Sequence, residues 1–250
     1  MSYYPAIFRL SADTNQSLEW ALATPAQNSS FLKLPAEVRN RIYLLVFSDL
    51  TIRPYKKGKK FRNVGEATSQ PLMILYSDLS LVCRQLYIDT VGGALLYRVA
   101  TFSFDSPQLM KNYLSAINPA HKNEIRTINL RVRSTYVSPT LPASPFKTLA
   151  ALPNLQSLVV EVLVNRDHCQ GQQTFTHGSY TTSFTLRQDA FLKIADEKVW
   201  LRLKGSHLMA LDVRFGIVPA YTGRYVLRED DPKLVGFVGF VRNLIGLDVK

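Results

Sequence analysis

The stretch FLKLPAEVRNRIYLLVF, residues 31 to 47, places a Leu34-Pro35 step directly before an apolar helix. Pro35 has a preset φ and no N–H to lose, so it suits the first turn of a helix. Four apolar residues beyond it follow the spacing of one buried helix face: Val38, Ile42, Leu45 and Val46. Three more lie on its other faces: Tyr43, Leu44 and Phe47. We therefore expect this helix to be covered on several sides, by its own domain or by a partner.

A second apolar helix is predicted over residues 79–91, LSLVCRQLYIDTV. Its apolar positions recur at helical spacing and form one stripe: Leu79, Val82, Cys83, Leu86 and Tyr87. Cys83 on this stripe is expected to be a small core residue. The two segments together predict a small helical module.

The two segments resemble the F-box, and most closely the F-box-like module of many filamentous-fungal proteins. The residues that carry the resemblance fall into three groups: Leu34-Pro35 with Glu37 and Ile42, then Leu81-Val82-Cys83-Arg84 with Tyr87, then Leu96-Tyr97 and Thr101-Phe102-Ser103-Phe104. The resemblance covers residues 31 to 104.

The resemblance implies a function without chemistry of its own and without a cofactor. F-box proteins dock on the Skp1 adaptor of cullin-RING ubiquitin ligases and present a protein substrate through the region that follows. The docking residues implied here are Leu34, Pro35, Val38, Ile42 and Tyr43. The chain departs from the family in one respect, because residues 49 to about 75 stand where a short linker is typical. That insertion either blocks docking or loops away from it.

The composition limits the class of protein. A chain of 250 residues with 46% hydrophobic content can bury a sizeable core in one or two domains. No apolar run reaches the roughly 18 residues of a membrane span, and the N-terminus lacks the pattern of a secretory signal. Two cysteines, Cys83 and Cys169, do not make a disulfide framework. We expect an intracellular protein of the cytoplasm, the nucleus or both.

More than half of the net charge of +11 lies in one segment, RPYKKGKKFR, which is part of a basic insertion at residues 51–75. Its six basic residues are Arg53, Lys56, Lys57, Lys59, Lys60 and Arg62. A solvated loop is the favoured interpretation. The alternatives are a nuclear-localisation signal or a phosphate-binding segment, in which Tyr55 and Phe61 would stack on bases.

Four short β-rich runs are predicted as strands: residues 101–105, 126–132, 156–163 and 208–216. Helices are predicted between them, over residues 107–117 with Ser106 as N-cap, 146–152 and 187–204. This alternation predicts a parallel sheet. The spacing of the strands, and LPNLQSLVV at residues 152–160, resemble leucine-rich repeats (LRR). The predicted fold is a mixed α/β chain, with an arm at residues 1–30, the F-box-like helical module at 31–100 and an irregular LRR-like α/β domain at 101–250. A compact α/β domain is the alternative.

Two further elements are predicted in the C-terminal part. Residues 174–186 suggest a hairpin around a His-Gly-Ser turn, and residues 234–246 suggest either a packed helix or a final strand. The loops at residues 133–145 and 164–180 are candidate recognition surfaces, with Arg131, Arg133 and Arg166 as a basic rim.

The sequence offers no catalytic site. It has no glycine-rich phosphate loop, no G-x-S-x-G elbow and no H-E-x-x-H motif. His168 and Cys169 are adjacent beside Asp167, but neighbours on an extended chain point to opposite faces, and no set of metal ligands is apparent. We therefore predict a non-catalytic scaffold that binds a Skp1-type adaptor and an unknown protein substrate. The alternatives are an F-box-like module that does not bind Skp1, and a nucleic-acid-associated protein that uses the basic segment.

Overall fold

A computed structural model describes residues 30–57, 60–67, 89–90, 94–134, 138–176, 179–217, 226–227 and 232–247. Most of the predicted N-terminal arm and of the second apolar helix, including Cys83, lies outside these residues. No helix of the described part is long and apolar enough to cross a membrane.

The described residues form a mixed α/β structure. Its strands are β1 (Leu50–Lys57), β2 (Lys60–Ala67), β3 (Thr101–Phe104), β4 (Thr127–Arg133), β5 (Ser157–Val164), β6 (Cys169–Thr176), β7 (Ser179–Leu186), β8 (Ala210–Ile217) and β9 (Val226–Leu227). Its α-helices are α1 (Ala36–Phe47), α2 (Leu95–Val99), α3 (Pro107–Ala116), α4 (Pro119–Asn123), α5 (Ala143–Ala150), α6 (Gln188–Ile194), α7 (Glu197–Trp200) and α8 (Pro232–Ile245). Two short 3₁₀ turns cover Arg166–His168 and Leu201–Leu203.

The larger sheet has the strand order β2-β1-β3-β4-β5-β8. Strands β1, β3, β4, β5 and β8 run parallel to one another, and β2 pairs antiparallel with β1 at one edge of the sheet. The longest parallel register, from Ser157↔Ala210 to Val164↔Ile217, joins β5 to β8. The four predicted strands and their parallel arrangement are therefore confirmed.

Strands β3 and β4 bury alternate residues, as the two-residue period of a strand requires. In β3 the second and fourth residues are buried and the others half-buried, and β4 repeats this pattern. The buried positions carry large apolar side chains: Phe102, Phe104, Ile128, Leu130, Val132, Leu158, Val160 and Val162. The sheet is thus recognisable from the alternation of its sequence.

The chain divides into two compact units. The first contains residues 1–103 and 112–128, and the second contains residues 104–111 and 129–250. The core of the first unit is an aromatic stack in which the ring of Phe102 lies 5.5 Å from Tyr97 and 6.0 Å from Tyr113. The core of the second unit surrounds Trp200, whose ring lies 5.0 Å from Phe146 and 5.6 Å from Phe237. All six rings are almost completely inaccessible to solvent.

The prediction of a single helix over residues 187–204 is wrong. The segment forms α6, α7 and a 3₁₀ turn, with the break at Ala195 and Asp196. The Asp196 carboxylate accepts a hydrogen bond of 3.0 Å from the Lys198 N–H and caps α7. An Asp inside a helical pattern competes for backbone donors in this way. The break brings Trp200 into the core, where its Nε1–H donates to the Ile194 carbonyl at 2.9 Å.

Other helix predictions agree more closely with the structure. Helix α3 begins one residue after Ser106, whose hydroxyl accepts a hydrogen bond of 3.2 Å from the Leu109 N–H, as an N-cap does. Helix α5 begins at Ala143, three residues before the predicted start. The hairpin of β6 and β7 is also present but starts earlier, at Cys169. Of the two alternatives for the C-terminal run, the helix is the one formed.

The basic insertion is not the solvated loop that the sequence analysis favoured. Residues 50–67 form the antiparallel hairpin of β1 and β2, and β1 pairs with β3 through Thr51 and Ile52. Leu50, Ile52 and Pro54 are buried at every second position of β1. The dense run of lysines obscured this alternation, which is that of an ordinary half-buried strand.

The glycines of α8 give a first test of the fold. Gly236 and Gly239 are exposed, and an added Cβ would meet no described atom within 4 Å. Because glycine costs a helix about 1 kcal/mol relative to alanine, we expect Gly236→Ala and Gly239→Ala each to raise the free energy of unfolding by about that amount. Chemical denaturation followed by circular dichroism measures it.

The control is Gly205→Ala. Gly205 also has open space around it, but its φ of +78° disfavours a side chain, so this change should lower the free energy of unfolding. Destabilisation by both helix substitutions would show that the glycine face of α8 is packed.

Candidate protein-interaction surface

The entry of α1 is fixed by a side chain from its own first turn. Pro35, with φ −54° and ψ 148°, directly precedes the helix, and its carbonyl accepts the N–H groups of Val38 and Arg39 at 3.0 and 3.1 Å. The Arg39 guanidinium folds back, and its Nη1 donates to the carbonyls of Leu34 at 2.7 Å and Leu32 at 3.3 Å. The Leu34-Pro35 step is therefore tied to the helix that it starts.

The same arginine reaches a carboxylate fifty residues away. Arg39 Nε lies 2.9 Å from Asp89 Oδ2, and the Tyr43 hydroxyl donates to the same oxygen at 3.0 Å. The hydrogen bond to Asp89 raises the pKa of Arg39, and burial followed by the Asp89 charge raises the pKa of Tyr43. At neutral pH, Arg39 is therefore charged and Tyr43 is a neutral hydrogen-bond donor.

The buried face of α1 is not the predicted one. Tyr43 and Phe47 are buried one turn apart, and Tyr43 packs against Phe31 with ring centroids 5.8 Å apart. Of the residues predicted to be buried, Val38 is 40% exposed, Leu45 79% and Val46 46%. Both sides of this helix are apolar, so periodicity alone could not decide between them. The Asp89 contact decides it, because Arg39 and Tyr43 must both face that carboxylate.

An apolar stripe is consequently open on the other side of α1. It consists of Val38, Ile42, Leu45 and Val46, at the i, i+4, i+7 and i+8 positions of one helix face. Val38, Leu45 and Val46 are exposed, and Ile42 is half-buried. We call this surface the α1 stripe.

The five predicted docking residues differ in their exposure to solvent. Pro35 and Val38 are exposed, whereas Leu34 and Ile42 are half-buried. Tyr43 is 4% exposed and hydrogen-bonded to Asp89, so it faces the core. Leu45 and Val46, which the sequence analysis placed on the buried face, are exposed instead.

Five of the six basic residues lie on strands β1 and β2. Arg53 and Lys56 are exposed on β1, and Lys57 pairs with Lys60 next to the turn. Arg62 is opposite Tyr55 on β2, and Lys59 lies outside the described residues. The register therefore sorts these residues between two faces, a distinction that the sequence did not reveal.

The second unit has a cavity of about 610 Å³ at the carboxyl ends of β3 and β4. The predicted recognition loop at residues 133–145 contributes to its wall through Arg133, Pro142, Ser144 and Pro145, and the first turns of α3 contribute Pro107 and Lys111. This volume is within the range of small-molecule and side-chain pockets, and ligands of parallel sheets bind at this edge.

The three arginines of the predicted basic rim differ in how far other residues already occupy their charge. Arg131 Nε lies 2.7 Å from Glu161 Oε2 and its Nη1 lies 3.0 Å from Asp105 Oδ1, so two carboxylates compensate its charge. The Arg166 guanidinium lies 5.6 Å above the Phe184 ring. Arg133 is exposed at the cavity and is the rim residue best placed to contact a ligand.

The residues around Cys169 do not form a nucleophile. Its Sγ lies 3.7 Å from the Asn165 carbonyl, and burial raises its pKa to about 11. A thiolate is the reactive form, and very little of it is present at neutral pH. Among the described residues, no group of three His, Cys, Asp or Glu side chains is arranged to hold a metal ion.

Comparisons of the chain with protein-family models, with curated proteins and with solved structures find no match.

We expect substitutions in the Arg39–Asp89–Tyr43 cluster to lower the free energy of unfolding markedly. Arg39→Met retains the aliphatic bulk but leaves Asp89, whose side chain is 14% exposed, without its cation. Loss of one partner of a largely buried pair costs about 3–5 kcal/mol. Tyr43→Phe removes one hydrogen bond to the same oxygen and should cost about 1–2 kcal/mol. Chemical denaturation measures both.

The double variant Arg39→Met/Asp89→Asn completes the thermodynamic cycle. It should be more stable than the sum of the single changes implies, because the unpaired carboxylate is gone. Strict additivity would contradict a direct interaction between the two side chains.

We expect the reactivity of the Cys169 thiol to depend on pH. In a Cys83→Ser variant, alkylation of Cys169 by iodoacetamide at about pH 8 should be roughly 100-fold slower in the folded protein than in denaturant, because the pKa rises from 9.0 to about 11. The raised pKa stabilises the folded state below pH 9, and this contribution is lost as the pH rises through 11. A folded rate within about threefold of the unfolded rate would contradict a buried thiol.

Proposed function

We propose that this chain is a non-catalytic interaction scaffold that docks on a Skp1-type adaptor through α1 and recruits a protein substrate through its second unit. The observation that carries the proposal is the α1 stripe. A helix introduced by Leu34-Pro35 exposes Val38, Leu45 and Val46 next to the half-buried Ile42, while Tyr43 and Phe47 are buried in the core.

The energetics favour a partner for the stripe. Burying an aliphatic side chain is worth about 1.5–3 kcal/mol, and Leu45 and Val46 gain little of this in the folded chain, being 79% and 46% exposed. An apolar helix face of this width is typical of helix-in-groove recognition, in which a few anchors provide most of the affinity. The anchored side keeps the helix preformed, which lowers the entropy cost of binding.

The second unit supports the recruiting role. Strands β3, β4 and β5 are neighbours in the sheet in chain order, with helices in the connections, as an LRR-like layer would have them. The cavity at the carboxyl ends of β3 and β4 is lined by Arg133, Lys111, Ser144 and three prolines. We propose it as the place where a side chain of the substrate inserts.

An interaction module that does not bind Skp1 is the second candidate. It is favoured by the β1–β2 hairpin, which stands where F-box proteins have a short linker. The two candidates use the same α1 stripe and differ in the partner.

The deciding experiment is co-expression with a Skp1 protein from a filamentous fungus, followed by co-purification. The wild type should form a stable complex. Val38→Asp/Leu45→Asp should weaken it by about 100-fold or more, because two charges would have to be buried at the apolar interface. Both positions are exposed, so the fold should be retained, which circular dichroism checks.

Leu192→Asp is the matched control, since Leu192 is 60% exposed on α6 and outside the stripe. It should bind as the wild type does. A wild-type protein that is folded and does not bind Skp1 would favour the second candidate, and equal weakening by the control would exclude the α1 stripe as the docking surface.

A further inference from the structure

The cavity at the carboxyl ends of β3 and β4 is lined entirely by residues of the second unit. Four of these residues are apolar: Val132, Pro107, Pro142 and Pro145. Three are charged: Asp105, Lys111 and Arg133. In a pocket with apolar walls, a small number of polar and charged groups orients the ligand and provides specificity. The three charged residues therefore decide which ligand this cavity accepts.

Two arginines of β4 have different surroundings. Arg131 and Arg133 are two residues apart on one strand and share a face of it. The guanidinium of Arg131 lies 2.7 Å from Glu161 and 3.0 Å from Asp105, which compensate its charge. Arg133 is exposed, and among the described residues no carboxylate forms an ion pair with it. The cavity therefore presents a guanidinium whose charge the described part of the protein leaves uncompensated.

We infer that the cavity binds an acidic side chain of the substrate, whose carboxylate pairs with Arg133. The inference deepens the recruiting role proposed above and rests on it. A guanidinium matches a carboxylate in a bidentate, charge-assisted pair that fixes orientation as well as adding affinity. The proline rings of the wall are rigid apolar surfaces on which the aliphatic part of the side chain and its neighbours can pack. The volume of about 610 Å³ exceeds that of one side chain, so the flanking residues of the substrate also fit.

The charges of the wall favour a carboxylate over a phosphate. Lys111 adds positive potential, but Asp105 adds negative potential, and its side chain is 59% exposed. A phosphate group carries a charge of about −1.5 to −2 at neutral pH, and its recognition typically uses a cluster of arginines. Such a group would be repelled by Asp105 and would meet one uncompensated guanidinium. A carboxylate carries a single charge, which one guanidinium balances.

The test is isothermal titration calorimetry of the full chain with N-acetyl-Leu-Glu-Leu-amide. The probe is titrated to about 10 mM, since a single anchor residue is expected to give a Kd of about 1 mM or below. N-acetyl-Leu-Gln-Leu-amide has the same size and shape without the charge. It should bind about tenfold more weakly, because its amide cannot form the charge-assisted pair.

Two variants that remove the same charge locate the site. Arg133→Gln should weaken binding of the Glu peptide by about tenfold and leave the Gln peptide unchanged. Arg202→Gln is the control, because Arg202 is exposed in a 3₁₀ turn of the same unit and does not line the cavity. It should change the affinity by less than about twofold, since screening limits the effect of a distant surface charge. Thermal melts check that both variants are folded.

Four results would overturn the inference: absence of binding, equal binding of the Glu and Gln peptides, equal weakening by the two variants, and tighter binding of the matching phosphoserine peptide. Co-purification with Skp1 separates this inference from adaptor docking, because neither variant alters the α1 stripe. A Skp1 complex without a preference for the Glu peptide would overturn the inference and leave the docking proposal standing. The predicted preference in a chain that does not bind Skp1 would support the acidic site in the second candidate, the module without Skp1.

Discussion

The contact between Arg39 and Asp89 determines which side of α1 is exposed. One guanidinium holds the carbonyls before the helix through Nη1 and a carboxylate fifty residues away through Nε. Tyr43, one turn further, donates to the same carboxylate oxygen. Two contacts on one side fix the rotation of a helix about its axis, so Tyr43 and Phe47 face the core and the α1 stripe faces solvent.

The exposed α1 stripe costs the chain hydrophobic stabilisation, and the docking function that we propose would explain this cost. A largely buried charged pair contributes little net stability relative to apolar packing, and the exposed residues Val38, Leu45 and Val46 contribute little to the core. Proteins keep such pairs where they specify one arrangement among several. Here the specified arrangement leaves an apolar surface in solvent, and a partner that covers it recovers the hydrophobic contribution that the fold gives up.

The fold was predictable where a local pattern and tertiary packing agree, as in β3, β4, β5 and β8, whose apolar residues alternate and are buried at every second position. Prediction failed where another property concealed the pattern or a distant residue decided the outcome. In β1 the charge of the lysines concealed the alternation of Leu50, Ile52 and Pro54. In the segment 187–204 the helical spacing continued through Asp196, which instead caps a new helix. In α1 the deciding residue is Asp89, and no local pattern links positions 39 and 89.

The hairpin of β1 and β2 alters the interpretation of the basic segment, which the sequence alone suggested to be a solvated loop. A loop of the same length could vary or be deleted with little effect on the rest of the first unit, because loop closure costs only about 0.6 kcal/mol for each doubling of length. A strand that pairs with β3 and buries Leu50, Ile52 and Pro54 cannot be deleted with so little effect. Its removal would expose the edge of β3 and the apolar surface beneath it. These residues are therefore part of the folded core and not a separable loop.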